Sequence, residues 1–111
     1  MNTTNGIVIS ILITAFILLF PQLSLADGFD GADLLEWSQD SQRFYIEASA
    51  SMAGVIVAQS DPDLARCIDE WHAREHAMQY AETLKSIRSY PTYHPQGVLF
   101  AILRQACPGP W

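Results

Sequence analysis

SQRFYIEASASMAGVIVA, residues 41–58, is the stretch that decides how this chain folds. Phe44, Ala48, Met52, Val55 and Gln59 recur at helical spacing with Ile56 beside them. That pattern predicts a helix capped by Ser41, running to about Ala58 and burying this stripe as core. Ala48-Ser49-Ala50-Ser51-Met52-Ala53-Gly54 is rich in small side chains, so a second helix can approach closely. Gly54 lowers helix propensity by ~1 kcal/mol relative to Ala, and close approach is a packing reason for it.

Turn signals divide the chain on either side of this helix. Upstream, Asp27-Gly28-Phe29-Asp30-Gly31 reads as an irregular lead-in to a short helix from Ala32 to Ser38, with Leu34, Leu35 and Trp37 as its apolar surface. Downstream, Asp61-Pro62-Asp63 is a break, because proline restricts its predecessor and readily opens a new helix. A turn is expected from Leu64 to Cys67, then one long helix from Asp69 to Ser89 with Ala77, Tyr80, Ala81, Leu84 and Ile87 on its apolar side. Tyr90-Pro91-Thr92-Tyr93-His94-Pro95 is a loop punctuated by two prolines. A last helix from Gln96 to Ala106 buries Leu99, Ile102, Leu103 and Ala106, and Cys107-Pro108-Gly109-Pro110 stops it. No stretch shows sustained β alternation. The expected fold is therefore all-α, a small bundle of four or five short helices around one core.

The N-terminus sets the compartment. Residues 6–20 read GIVISILITAFILLF, and the 12 acidic and 6 basic side chains all follow this run. Its length suits a secretory signal peptide, Pro21 breaks it, and Ser24-Leu25-Ala26 offers the small residues that a signal peptidase inspects. The expected division is a signal peptide over 1–26 and a helical domain over 27–111. An uncleaved anchor is the rival, since the first six residues carry no Lys or Arg. A spanning helix needs ~20 apolar residues, however, and this run is shorter. Only an uncleaved segment would make the membrane a partner. In either case the domain works outside the cytoplasm, in the periplasm or secreted. In an oxidising compartment two cysteines, Cys67 and Cys107, point to one bridge closing the bundle. A bridge between chains and a metal site are the alternatives, and two thiols without CxxC spacing make a poor zinc set.

A net charge of −6 with no basic cluster argues against nucleic acid, whose phosphates demand one. A basic protein partner is electrostatically easier, although surplus acid also simply keeps a small domain soluble. His72-Ala73-Arg74-Glu75-His76 matches the HxxEH pattern of inverted zinc peptidases, with both histidines on one helical face. Such a site needs a third ligand and a cleft, so the expectation is no metal at His72, Glu75 and His76 and no cofactor. Ser49, Ser51 and Ser60 lack a nucleophile-elbow context, and no catalytic residue is assigned. Tyr90, Tyr93 and His94 stand between two prolines. Either they are displayed for protein binding, or one tyrosine packs on the core.

The order of segments from about Gly31 to Pro108 resembles the Rap/Tai immunity proteins of type VI secretion systems. Gly31-Ala32-Asp33-Leu34-Leu35-Glu36-Trp37 looks like that family's opening helix, and Met52-Ala53-Gly54-Val55 is similar to its Tyr-Ile-x-Gly-Val segment. Arg66-Cys67-Ile68 resembles its Phe-Cys-x-Pro cysteine and Pro91-Thr92-Tyr93-His94 its Pro-Glu-x-x-His loop. Ile102-Leu103-Arg104-Gln105-Ala106-Cys107-Pro108 resembles its Ala-Leu-Arg-x-Ala-Phe-Pro-Cys ending. The chain departs from the family at Asp69, where a proline is usual, at Trp71-His72-Ala73, where Gly-Val-Thr is usual, and at Ser38 and Ala48, where a second disulfide is common. The resemblance implies a periplasmic binding protein that blocks a peptidoglycan amidase effector by covering its active site, often as a homodimer. A rival from another class is a periplasmic acid-stress chaperone of the HdeA kind, whose apolar surface is released when carboxylates are protonated. A small zinc-dependent enzyme is a third.

Overall fold

The computed structural model describes residues 28–111, so the expected signal segment lies outside the described residues. The described residues form five α-helices joined by short turns, in keeping with the expected all-α bundle. They are α1 (Gly31–Leu35), α2 (Gln39–Ala58), α3 (Pro62–Ala77), α4 (Ala81–Ser89) and α5 (Pro95–Ala106).

Polar side chains start most of these helices by meeting backbone N–H groups that the helix itself cannot satisfy. Asp30 caps α1 in a reciprocal box with Asp33. Ser38, not Ser41, caps α2, and the Ser41 amide donates to the Ser38 hydroxyl. Asp61 caps α3 with Pro62 in the first turn, so the expected turn from Leu64 to Cys67 is already helix. His94 caps α5, its Nδ1 accepting from the Gln96 amide at 3.1 Å. The exception is α4, which starts from Tyr80 with no side-chain cap.

Besides these shifts, α1 ends at Leu35 and not at Ser38, and two larger differences from the sequence expectation have physical reasons. The single helix expected from Asp69 to Ser89 is broken after Ala77, because Gln79 and Tyr80 both take left-handed backbone angles, φ 56° and 58°. Left-handed geometry in non-glycine residues is costly and persists only where packing enforces it. Here Tyr80 is buried and its amide donates to the Glu75 carbonyl at 2.8 Å. The second difference is the rotation of α2. Its buried face is Gln42, Ile46, Ser49, Ala50, Ala53 and Gly54, whereas Phe44, Met52, Val55 and Ile56, expected as core, are 69%, 58%, 59% and 60% exposed. Ala48 and Gln59 are exposed as well.

Small side chains set that rotation. The α2–α3 hairpin is the most extensive helix pair, and a Cβ added at Gly54 would come within 2.9 Å of Asp69 Oδ1. The close approach expected from the small residues is thus made through Ala50, Ala53 and Gly54, while Ala48 and Ser51 face outward. Ile46, Ile68, Trp71, Ile87, Leu99 and Leu103 fill the centre. On α5, Val98 joins Leu99 and Leu103 in the core, Ile102 is half-buried and Ala106 is exposed.

A disulfide joins Cys67 on α3 to Cys107 at the end of α5, with Cα atoms 5.8 Å apart. It clamps the last helix onto α3 and closes a loop whose ends are 40 residues apart in sequence. On the chain-entropy model such a loop stabilises by about 4 kcal/mol, a large share of the total for a domain of this size. Replacing Cys67 and Cys107 together by Ser should lower the unfolding free energy by up to about 4 kcal/mol. Urea denaturation of wild type and variant measures it, and a difference below about 1 kcal/mol would show that the bundle does not lean on the bridge.

Candidate functional site

Two of the large side chains that α2 turns outward, Phe44 and Met52, border an open groove of about 1070 Å³. Phe44, Ala48 and Met52 form its floor along α2, Trp37 and Tyr45 its aromatic end, and Gln96 of α5 its far wall. The i, i+4 row Phe44–Ala48–Met52 places a small residue between two large ones, which leaves a notch over Ala48. No charged residue occurs in α2 from Ala48 to Ala58. On the edge facing α3, Glu47 and Asp69 border a neighbouring depression with His72 and His76.

Aromatic packing holds the groove end in place. Phe29 stacks at tilted angles on Trp37 and Tyr45, with ring centroids 5.0 and 5.4 Å apart, and meets the His94 ring edge-on at 6.0 Å. Gln42, buried beneath, donates to the carbonyls of Leu35 and Trp37 and so fixes the α1–α2 corner. Gln96 donates to the Ser49 hydroxyl at 3.3 Å, tying α5 to α2.

The loop residues singled out in the sequence lie beside this end. Tyr90 and Tyr93 are 55% and 62% exposed and pack edge-to-face on each other at 5.8 Å. His94 is exposed, caps α5 and touches Phe29, which links the loop to the groove. The loop backbone is anchored too, since the amides of Gly31 and Ala32 donate to the carbonyls of Tyr93 and Pro91. A Cβ at Gly31 would meet Ile87 and the Pro91 backbone at 3.1–3.2 Å, so only glycine lets the loop sit this close. The tyrosines are therefore on the surface and not in the core. Missing from the sequence expectation were the groove itself and Tyr45, since Phe44 and Met52 were expected as core and Trp37 as the apolar surface of a short helix. The absence of charge from Ala48 onward is the signal for the groove's Ala48–Met52 part.

The HxxEH residues do something else. His72 Nε2 and His76 Nδ1 lie 2.8 and 3.3 Å from the Tyr80 hydroxyl. One O–H proton serves one imidazole, and the other must donate its N–H to the phenol oxygen. Burial first, then the charges of Glu47 and Glu75, push the Tyr80 pKa up to about 12, so Tyr80 remains a neutral phenol. Glu75 is buried, 9% exposed, and its Oε2 has no hydrogen-bond partner, as is the case for Thr83 Oγ1. Among the described residues, no group of three or more His, Cys, Asp or Glu is placed to hold a metal ion.

Burial, with repulsion from Glu82, raises the Glu75 pKa above its ordinary 4.5, opposed by Arg74. A carboxyl that holds its proton more tightly when folded stabilises most below its unfolded pKa, and that stabilisation is lost as pH rises through the folded value. Glu75 therefore weakens the fold at neutral pH. Glu75→Gln should raise the Tm near pH 7, with the gain over wild type shrinking as pH falls toward about 4.5. Calorimetry across that range checks it, and a variant less stable than wild type at pH 7 would refute the assignment.

Compared with known proteins, the chain matches no family model, no curated protein and no solved structure.

Proposed function

We propose that this chain is an exported, non-catalytic binding protein that neutralises a peptidoglycan amidase effector by covering its active site. The observation that carries a binding role is the outward face of α2. Four large apolar side chains lie more than half exposed on one helix that also packs the core. Contiguous exposed apolar surface of this kind marks interaction sites. The disulfide is compatible with export, and the N-terminal apolar run supplies the route. The amidase, the inhibitory role and the openness to homodimerisation come from the Rap/Tai resemblance of the segments from Gly31 to Pro108.

Covering an active site needs affinity and a rigid surface, and no chemistry of its own. Pre-set aromatic side chains lose little entropy on binding, and the groove end with its Phe29–Trp37–Tyr45 packing and loop tyrosines supplies them. The acid-stress chaperone reading asks for carboxylates whose protonation loosens the fold. Glu75 acts in the opposite sense, and the apolar face is already outside.

The test is protection. Cells exporting a peptidoglycan amidase that binds this chain should lyse, and co-export of the chain should rescue them. Phe44→Asp, at an exposed position, should leave thermal unfolding within about 0.5 kcal/mol of wild type and abolish rescue. Tyr93→Ala should weaken the isolated complex by ~1–3 kcal/mol, the range for an aromatic interface anchor, measured by calorimetry. Lysis despite abundant folded wild-type protein would refute the immunity reading.

A further inference from the structure

The groove on α2 also specifies what occupies it. We infer that its occupant is an amphipathic helix of the partner protein, seated along α2 with one bulky apolar side chain in the notch over Ala48 and basic residues along the edge marked by Glu47 and Asp40. This rests on the binding reading above and adds the chemistry of the partner.

Shape selects a helix. The exposed apolar strip from Phe44 to Ile56 spans about 18 Å on a straight helix, and helices pack on helices by setting ridges into grooves. Phe44 and Met52 stand on either side of Ala48 along the groove floor, and the small side chain between them leaves room for one large one. A helix-in-groove partner presents apolar anchors at i, i+3, i+4 and i+7 spacing. That repeat matches the row offered here.

Charge selects its flank. The two edges of the strip differ. Toward α5 the wall is Ser49 and Gln96, both uncharged. Toward α3 it is Asp40, with Glu47 and Asp69 beyond it in the neighbouring depressions, and Arg43 beside them is already within 3.7 Å of Asp40. Asp40 is itself nearly fully exposed. A partner helix with Lys or Arg on that side gains attraction from an acidic edge on a chain of net charge −6. One with Glu there meets like charge. The same repulsion disfavours a second copy of this chain.

The probes are two synthetic helical peptides with the same Leu/Phe face, one flanked by Lys and the other by Glu. They are titrated by fluorescence anisotropy into the full chain exported to a bacterial periplasm and purified with its bridge formed. The Lys peptide should bind about fivefold or more tightly than the Glu peptide at low salt, and the preference should fade as salt rises. Ala48→Trp, which fills the notch from an exposed position, should weaken it more than about tenfold. Asp40→Lys with Glu47→Lys should reverse the preference, and this arm decides the matter should Ala48→Trp lower the Tm. Absence of binding, equal binding of both peptides, or undiminished binding to a well-folded Ala48→Trp variant would overturn the inference. So would a free chain that sediments as a dimer broken by Ala48→Trp, which would assign the groove to a second copy. Rescue from the amidase is scored separately. Rescue with failed peptide selectivity removes only the basic helix, whereas selectivity without rescue removes only the immunity role.

Discussion

One face of α2 can lie against α3, and the small residues claim it. Ala50, Ala53 and Gly54 bring the two helix axes so close that a methyl group at Gly54 would press on the Asp69 carboxylate. Close approach maximises dispersion contacts along the hairpin, and it fixes the rotation of α2 about its own axis. Everything else on that helix follows from the angle. Ile46 goes inward and Gln42 meets the carbonyls of Leu35 and Trp37, while Phe44, Met52, Val55 and Ile56 are turned away because no layer remains to cover them. The groove is the outer side of the same packing decision.

This explains how much of the molecule was legible in the sequence. The all-α class, the helical character of residues 41–58, the loop of Tyr90–Pro95 and the pairing of the two cysteines could be read from periodicity, prolines and count, and they stand in the structure. The burial of α2 could not, because two apolar stripes coexist on it. Hydrophobicity alone ranks Phe44, Met52, Val55 and Ile56 above Ala50, Ala53 and Gly54, yet interhelical distance favours the smaller set. The break at Gln79–Tyr80 was equally hidden, since neither residue is a local turn former. It is imposed from outside, by the burial of Tyr80 and the two imidazoles that meet its hydroxyl.

The site was half legible for related reasons. Tyr90, Tyr93 and His94 were marked by flanking prolines, which act locally. The HxxEH run was also visible, but spacing along a helix does not show how deeply each residue is covered, and Glu75 is buried. The groove had a sequence trace only in what residues 48–58 lack. A helix that is apolar on two sides in a small chain has more surface than one core can bury, and the surplus must face water or another molecule.

The bridge divides the molecule into unequal parts. Residues 67–107 form a covalent ring that carries most of α3, all of α4 and α5, and the tyrosine loop. Helices α1 and α2 lie outside the ring and are held by packing and hydrogen bonds alone. Local opening therefore has a natural seam, since α2 can lift from a ring that stays closed, and its amides should exchange with solvent through smaller openings than those of α5. The helix that bears the groove is thus the one long helix among the described residues that the bridge does not tie to another. A partner that grips it also presses it onto the ring, so occupancy of the outer face and cohesion of the inner one become a single equilibrium.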